Sequence, residues 1–140
     1  MCLFPFIGNA QLNVTDKFEK PVKVCHSNTM MGTAELYQSN DTYYIYMKST
    51  NQFDDVEFMY IGDSKDSALK TLKDLVSLFD TTHKGDVVYI TDHRKKKISL
   101  YKSFKKQFQV SFEYQAGTRC LSLDNVNAFI DTLLFYPTQE

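Results

Sequence analysis

Apolar and polar side chains alternate with a period of two through much of this chain, in runs rich in Tyr, Phe, Val and Ile. That pattern belongs to strands with one face turned to a core. It predicts strands at Thr33–Gln38, Thr42–Lys48, Val56–Ile61, Asp86–Thr91, Lys97–Lys102, Gln107–Gln115 and Thr118–Leu121, with a further one at Val22–Cys25. Ser39-Asn40-Asp41 and Gln115-Ala116-Gly117 are polar or Gly-bearing links of hairpin length.

The period changes to three and four residues in two places. Ala68, Leu69, Leu72, Leu75, Val76 and Phe79 lie on one stripe of a helix from Ser64 to Phe79. Asp63 or Ser64 can accept from the free N–H groups of its first turn, and Asp66 precedes Lys70 by one turn. A second helix starts at the N-cap Asp124, runs through Val126, Phe129, Ile130, Leu133 and Leu134 to about residue 136, and is stopped by Pro137.

These elements make a single α+β domain over residues 1–140: a largely antiparallel, curved sheet of about six to eight strands, with helices 64–79 and 124–136 packed on one face. A strongly curved half-barrel plugged by the helices is the competing arrangement. The helix starts stand about 60 residues apart, but matching positions amount to little more than Ala68 with Ala128. The chain is therefore read as undivided. With 140 residues, five glycines and three prolines, it has no low-complexity or linker-like stretch. A chain of this length buries roughly 68–70% of its unfolded surface and needs no metal or disulfide staple.

No apolar run approaches the length of a membrane helix. Met1–Gly8 is apolar, but it lacks a basic region and a cleavage site and is interrupted by Pro5, so no signal peptide is read. Cys2, Cys25 and Cys120 are odd in number and widely spaced, unlike a disulfide framework. Together these features lead to the expectation of a soluble, cytoplasmic protein without a membrane partner. The sequons Asn13-Val14-Thr15 and Asn40-Asp41-Thr42 matter only in a secreted chain.

Charge sharpens this picture. The formal net charge is −1, yet residues 93–106 hold seven Lys or Arg and no acid, against nine bases and seventeen acids elsewhere. If Ile98 and Leu100 face the core, Lys97, Ser99 and Tyr101 face outward. Arg94, Lys95, Lys96, Lys97, Tyr101, Lys102, Lys105 and Lys106 are the expected partner-binding residues: ammonium groups for phosphates or acidic side chains, and a ring for stacking. Lysine-rich turns also simply keep a hairpin soluble and guard an edge strand. On Thr42–Lys48, Tyr43, Ile45 and Met47 share one face and Tyr44 and Tyr46 the other. If uncovered, the second is a tyrosine-lined contact surface.

Candidate catalytic groups do not assemble along the sequence. Cys25 and His26 are adjacent on an extended strand and point to opposite faces. Asp92-His93 reads as a polar turn before the lysines, and Asp54-Asp55 with Glu57 as a solvated loop. The Cys and His residues lack metal-ligand spacing, and the five isolated glycines form no nucleotide-binding loop. No catalytic residue, metal or other cofactor is expected. In element order alone, the chain from Ser64 onward, a helix, three or four strands and a helix with Lys-rich linkers, resembles the Alu-RNA-binding subunits of the signal recognition particle. That resemblance implies an RNA partner.

The residues themselves lead first to a non-enzymatic binding protein or inhibitor that acts by occupying a protein partner through the basic, tyrosine-bearing surface. By analogy, inhibitors of host defence proteins carried by phages or mobile elements are of this kind. The alternative is an RNA or single-stranded nucleic-acid binder, and the third reading is an enzyme using Cys25 or His93. A homo-oligomer is compatible with each.

Overall fold

The computed structural model describes residues 21–29 and 32–135. Its elements are β1 (Val22–Thr29), β2 (Gly32–Ser39), β3 (Thr42–Met47), β4 (Phe58–Gly62), α1 (Lys65–Thr81), β5 (Val87–Thr91), β6 (Lys97–Phe104), β7 (Gln107–Phe112), β8 (Arg119–Ser122) and α2 (Leu123–Phe135). Every alternating run named above contains a strand, and both amphipathic runs are helices. Met1–Gly8, Cys2, the first sequon and Pro137 lie outside the described residues.

The single curved sheet is not what forms. The strands make two separate four-stranded antiparallel sheets, in the orders β1-β2-β3-β4 and β5-β6-β7-β8. The break comes at β4, whose outer edge is already occupied. Tyr60 donates its N–H to Asp92 Oδ2 (3.1 Å) and accepts from the His93 N–H (3.0 Å), so the loop after β5 seals that edge. A sealed edge cannot continue the ladder.

Each sheet is followed by its own helix, so the chain repeats the order ββββα. The halves correspond in local chemistry as well as in order. Ser64 Oγ accepts from the Ser67 N–H (3.1 Å) at the start of α1, and Ser122 Oγ accepts from the Asn125 N–H (3.0 Å) at the start of α2. The central hairpins turn over two residues each, Asn40-Asp41 and Lys105-Lys106. Asn40 takes a positive φ of 55°, which asparagine tolerates better than most residues. The Ser64-to-C-terminus outline behind the RNA-binding resemblance therefore straddles two units, beginning on the last helix of the first.

Both halves share one core. Leu36, Ile45 and Ile61 from the first sheet meet Leu100, Val110 and Leu121 from the second, with Leu72 and Phe79 of α1 and Phe129 of α2 in the same cluster. The Phe79 and Phe108 rings lie 4.3 Å apart, joining α1 to the second sheet. Burying such side chains contributes roughly 1.5–3 kcal/mol each, so the two halves stabilise one another. Polar ties add register: Arg119 Nε donates to the Met47 carbonyl (3.0 Å), and Asn125 Nδ2 to Ser27 Oγ (2.8 Å). Among the described residues no helix is long and apolar enough to cross a membrane.

Candidate binding surface

With the inner faces in the core, each sheet keeps an outer face, and the two differ in chemistry. On the first sheet Tyr37, Tyr44 and Tyr60 stand in one cross-strand row, with Tyr46 and Phe58 in the next. The Tyr37 and Tyr44 rings stack at 5.8 Å, and Phe58 tilts onto Tyr44 at 4.7 Å. Tyr43, Ile45 and Met47 are the core side of β3, as the alternation requires. Tyr44 is itself buried by its aromatic neighbours, and that burial pushes its hydroxyl pKa up. A groove of about 340 Å³ remains beside Tyr37, Tyr46, Val56 and Phe58.

The polar groups beside these rings satisfy one another. Glu35 receives His26 Nδ1 (2.6 Å), Lys23 Nζ (3.0 Å) and the Tyr37 hydroxyl (2.9 Å). Burial would push the Glu35 carboxyl up, but the hydrogen bonds from Lys23, His26 and Tyr37 together hold it below its ordinary value. Cys25 pairs across from Leu36 and packs against the core, whereas His26 pairs across from Glu35 on the outer face. The adjacent thiol and imidazole are thus held on opposite sides of β1.

The second sheet's outer face is open. Tyr89 of β5, Ser99 of β6 and Ser111 of β7 form one row, while Val87, Tyr101 and Gln109 form the next. Tyr89 is 80% exposed and Tyr101 41%. Beside Tyr89 the small Ser99 and Ser111 leave a shallow groove of about 530 Å³, bordered by Lys97 and Glu113. Ile98 and Leu100 face inward beneath it, as expected from the period-two pattern.

The basic segment is divided by the fold. Lys97 and Tyr101 lie on this outer face, and the exposed Lys95 lies at its β5–β6 end. Arg94 is exposed at the same end, its guanidinium 4.5 Å from the centre of the Tyr60 ring. Lys96 turns the same way, pairing with Glu57 and donating to the Phe58 carbonyl (2.8 Å). Lys105 and Lys106 are exposed at the opposite end of β6. At about 3.3 Å per residue, the two ends of this eight-residue strand are about 23 Å apart.

Lys102 does not belong to the surface. It is 2% exposed, and its ammonium donates to the carbonyls of Phe79 (2.5 Å) and Thr82 (3.0 Å) at the end of α1. The alternation that turns Ile98 and Leu100 inward turns Lys102 inward too. Tyr89, conversely, joins this face although it lies before the basic segment in the sequence. Its signal was parity with Val87 and Thr91, opposite the inward Val88 and Ile90.

Asp92 and His93 are likewise separated. The Asp92 carboxylate accepts the backbone N–H groups of Tyr60 (3.1 Å), Arg94 (2.9 Å) and Lys96 (2.8 Å), which builds the loop. His93 Nε2 instead lies 3.2 Å from Ser67 Oγ. Asp54 is a second loop organiser, accepting from Ser49 Oγ (2.8 Å) and from the N–H groups of Ala116 (3.2 Å) and Gly117 (2.9 Å). Among the described residues, no three His, Cys, Asp or Glu side chains gather as a metal site would require. Burial pushes the Cys120 thiol above its ordinary pKa, away from nucleophilic character.

Comparison with protein-family models, with curated proteins and with solved structures finds no match to this chain. What the geometry defines is an α+β protein of two ββββα units with one packed aromatic outer face and one open, tyrosine- and lysine-bearing outer face.

Proposed function

We propose that this is a non-enzymatic binding protein that acts by occupying a macromolecular partner with the outer face of its second sheet. The supporting observation is the pair of exposed tyrosines, Tyr89 and Tyr101, beside Lys97 on a strand whose two ends are both cationic. Large rings with accessible faces, next to cations and small side chains, supply contact area at little conformational cost. The first sheet offers less, because its rings pack on one another and its charges are paired internally. Occupancy is sufficient for an inhibitor or adaptor and requires no group transfer.

The test is affinity capture from host cells with the native chain and with a K97E/Y101A variant, each with and without nuclease treatment. Retention by the native chain and loss by the variant is the expected outcome. A His26→Ala control on the other sheet should retain the partner, and equal retention by K97E/Y101A would refute the site.

A further inference from the structure

Resting on the reading above, we propose that the partner is single-stranded nucleic acid laid along β6, its bases stacking on Tyr89 and Tyr101 and its phosphates meeting the cations at and between the strand's ends. Tyr89 lies directly across from Ser99, and Tyr101 follows two residues later on the same face. The two residues are thus diagonal neighbours whose backbone positions stand about 7–8 Å apart, a separation that successive unstacked bases of an extended strand can span. Ser99 and Ser111 are too short to cover the ring faces.

The charge follows the same line. Lys95 and Lys97 mark one end of the track, and Lys105 and Lys106 the other, whereas Arg94 leans over Tyr60 of the first sheet. At the far end the Lys84 ammonium sits 5.5 Å from the centre of the half-exposed Phe104 ring, adding a third aromatic surface with a cation already over it. A track of about 23 Å suits about four nucleotides, near the lower bound for sequence-tolerant single-strand modules. Glu113 borders the groove near Lys97 and repels phosphate there, which directs the backbone toward the Tyr101 side.

Two features favour nucleic acid over a protein surface and single strands over duplex. Protein interfaces are depleted of lysine at their centres, whereas Lys97 stands within this face. Stacking on Tyr89 and Tyr101 requires unpaired bases, since base pairs in a duplex hide their faces against their neighbours.

Fluorescence anisotropy with labelled oligo-U, oligo-dT and a duplex, each about twenty nucleotides long, tests this across a salt series starting at about 50 mM. Both single strands should bind at least tenfold more tightly than duplex, with log K falling against log salt at a slope of about −2 to −3 for three or four phosphates. Y89A/Y101A should weaken single-strand binding by about tenfold or more per ring lost, and Y89F/Y101F should restore it, because stacking needs the ring and not the hydroxyl. Circular dichroism on each variant confirms that it is folded.

Absence of single-strand binding at about 50 mM salt overturns the proposal, as do undiminished binding by Y89A/Y101A and a preference for duplex. If single strands fail to bind but K97E/Y101A still loses a nuclease-resistant partner, the nucleic-acid assignment falls and the binding face stands. If single strands bind K97E/Y101A as well as the native chain, both fall.

Discussion

The ammonium of Lys102 lies 2.5 Å from the backbone carbonyl of Phe79, joining β6 to the end of α1 through a charge. Helix α1 has no basic residue in its last turn, and its terminal carbonyls need donors. Lys102 supplies them from β6, with Thr82 Oγ1 adding a bond to the Leu78 carbonyl. Lys102→Ala removes the donor and leaves a hole, so urea denaturation should show a loss of about 2–4 kcal/mol. Partner affinity per folded molecule should stay unchanged, because this side chain is not on the binding face; a selective affinity loss would return Lys102 to it.

Asp54 predicts a pH dependence with a definite sign. The Ser49 hydroxyl lowers its pKa most; burial opposes this, and the N–H groups of Gly117 and Ala116 and the charge of Arg119 lower it further. The net result is a folded-state value below the ordinary 3.8. The unfolded chain then takes up the proton first, so Asp54 stabilises the fold fully above that ordinary value and loses this contribution as pH falls through the folded one. Asp54→Ala should unfold at lower urea than the native chain at neutral pH, and the gap should narrow in acid. A gap that widens in acid would contradict the assignment.

Asn125 links the two halves and caps α2 at once. Its Oδ1 accepts from the Ser122 N–H (2.8 Å), and its Nδ2 donates to the Ser27 carbonyl (3.2 Å) and Oγ (2.8 Å). Asn125→Ala leaves these buried groups short of partners, with an expected loss of about 2–4 kcal/mol. Hydrogen exchange should show faster opening at both α2 and β1; a change confined to α2 would mean that the tie to Ser27 contributes little.

Much of this fold is legible in the residues. The 3.6-residue stripe of Ala68, Leu72, Leu75 and Phe79 is the buried face of α1, and the alternation of Ile98 and Leu100 with Lys97 and Tyr101 is observed in β6. The division into two sheets is less legible, because it depends on whether β4 pairs with β5. That is decided by Asp92 and His93 reaching Tyr60 across about thirty positions, a loop conformation with no local hydrophobic signature. The end of β7 is hidden for the same reason: the alternation runs on to Gln115, but Asp54 gathers Ala116 and Gly117 into a loop and the strand stops at Phe112. At the surface, grouping residues by charge obscured the parity that buries Lys102 and exposes Tyr89.

Gly62 offers a test of how tightly β4 feeds into α1. A methyl group at this position would lie 2.5 Å from the backbone nitrogen of Ala68 and 2.8 Å from Ser67 Oγ. The serine oxygen can rotate away, but the Ala68 nitrogen is fixed by its bond to the Ser64 carbonyl (2.9 Å). Gly62→Ala should therefore destabilise by about 1–3 kcal/mol, measured by urea denaturation.

Lys95 separates stability from binding in the opposite direction to Lys102. It is an exposed residue with a φ of 65°, in the left-handed region where an L side chain is strained. Its backbone N–H donates to the Asp92 carbonyl (3.0 Å), so the loop that seals β4 holds it there. Lys95→Gly keeps that hydrogen bond and removes the steric conflict, at the expense of a more flexible unfolded chain. The net expectation is a gain of about 0.5–1 kcal/mol in urea denaturation. The same change removes one cation from the near end of the β6 track. Oligonucleotide affinity should fall and the salt slope should become shallower by about 0.7, the contribution of one phosphate contact on a single strand. Greater stability with weaker, less salt-sensitive binding is an outcome that a purely structural lysine would not produce.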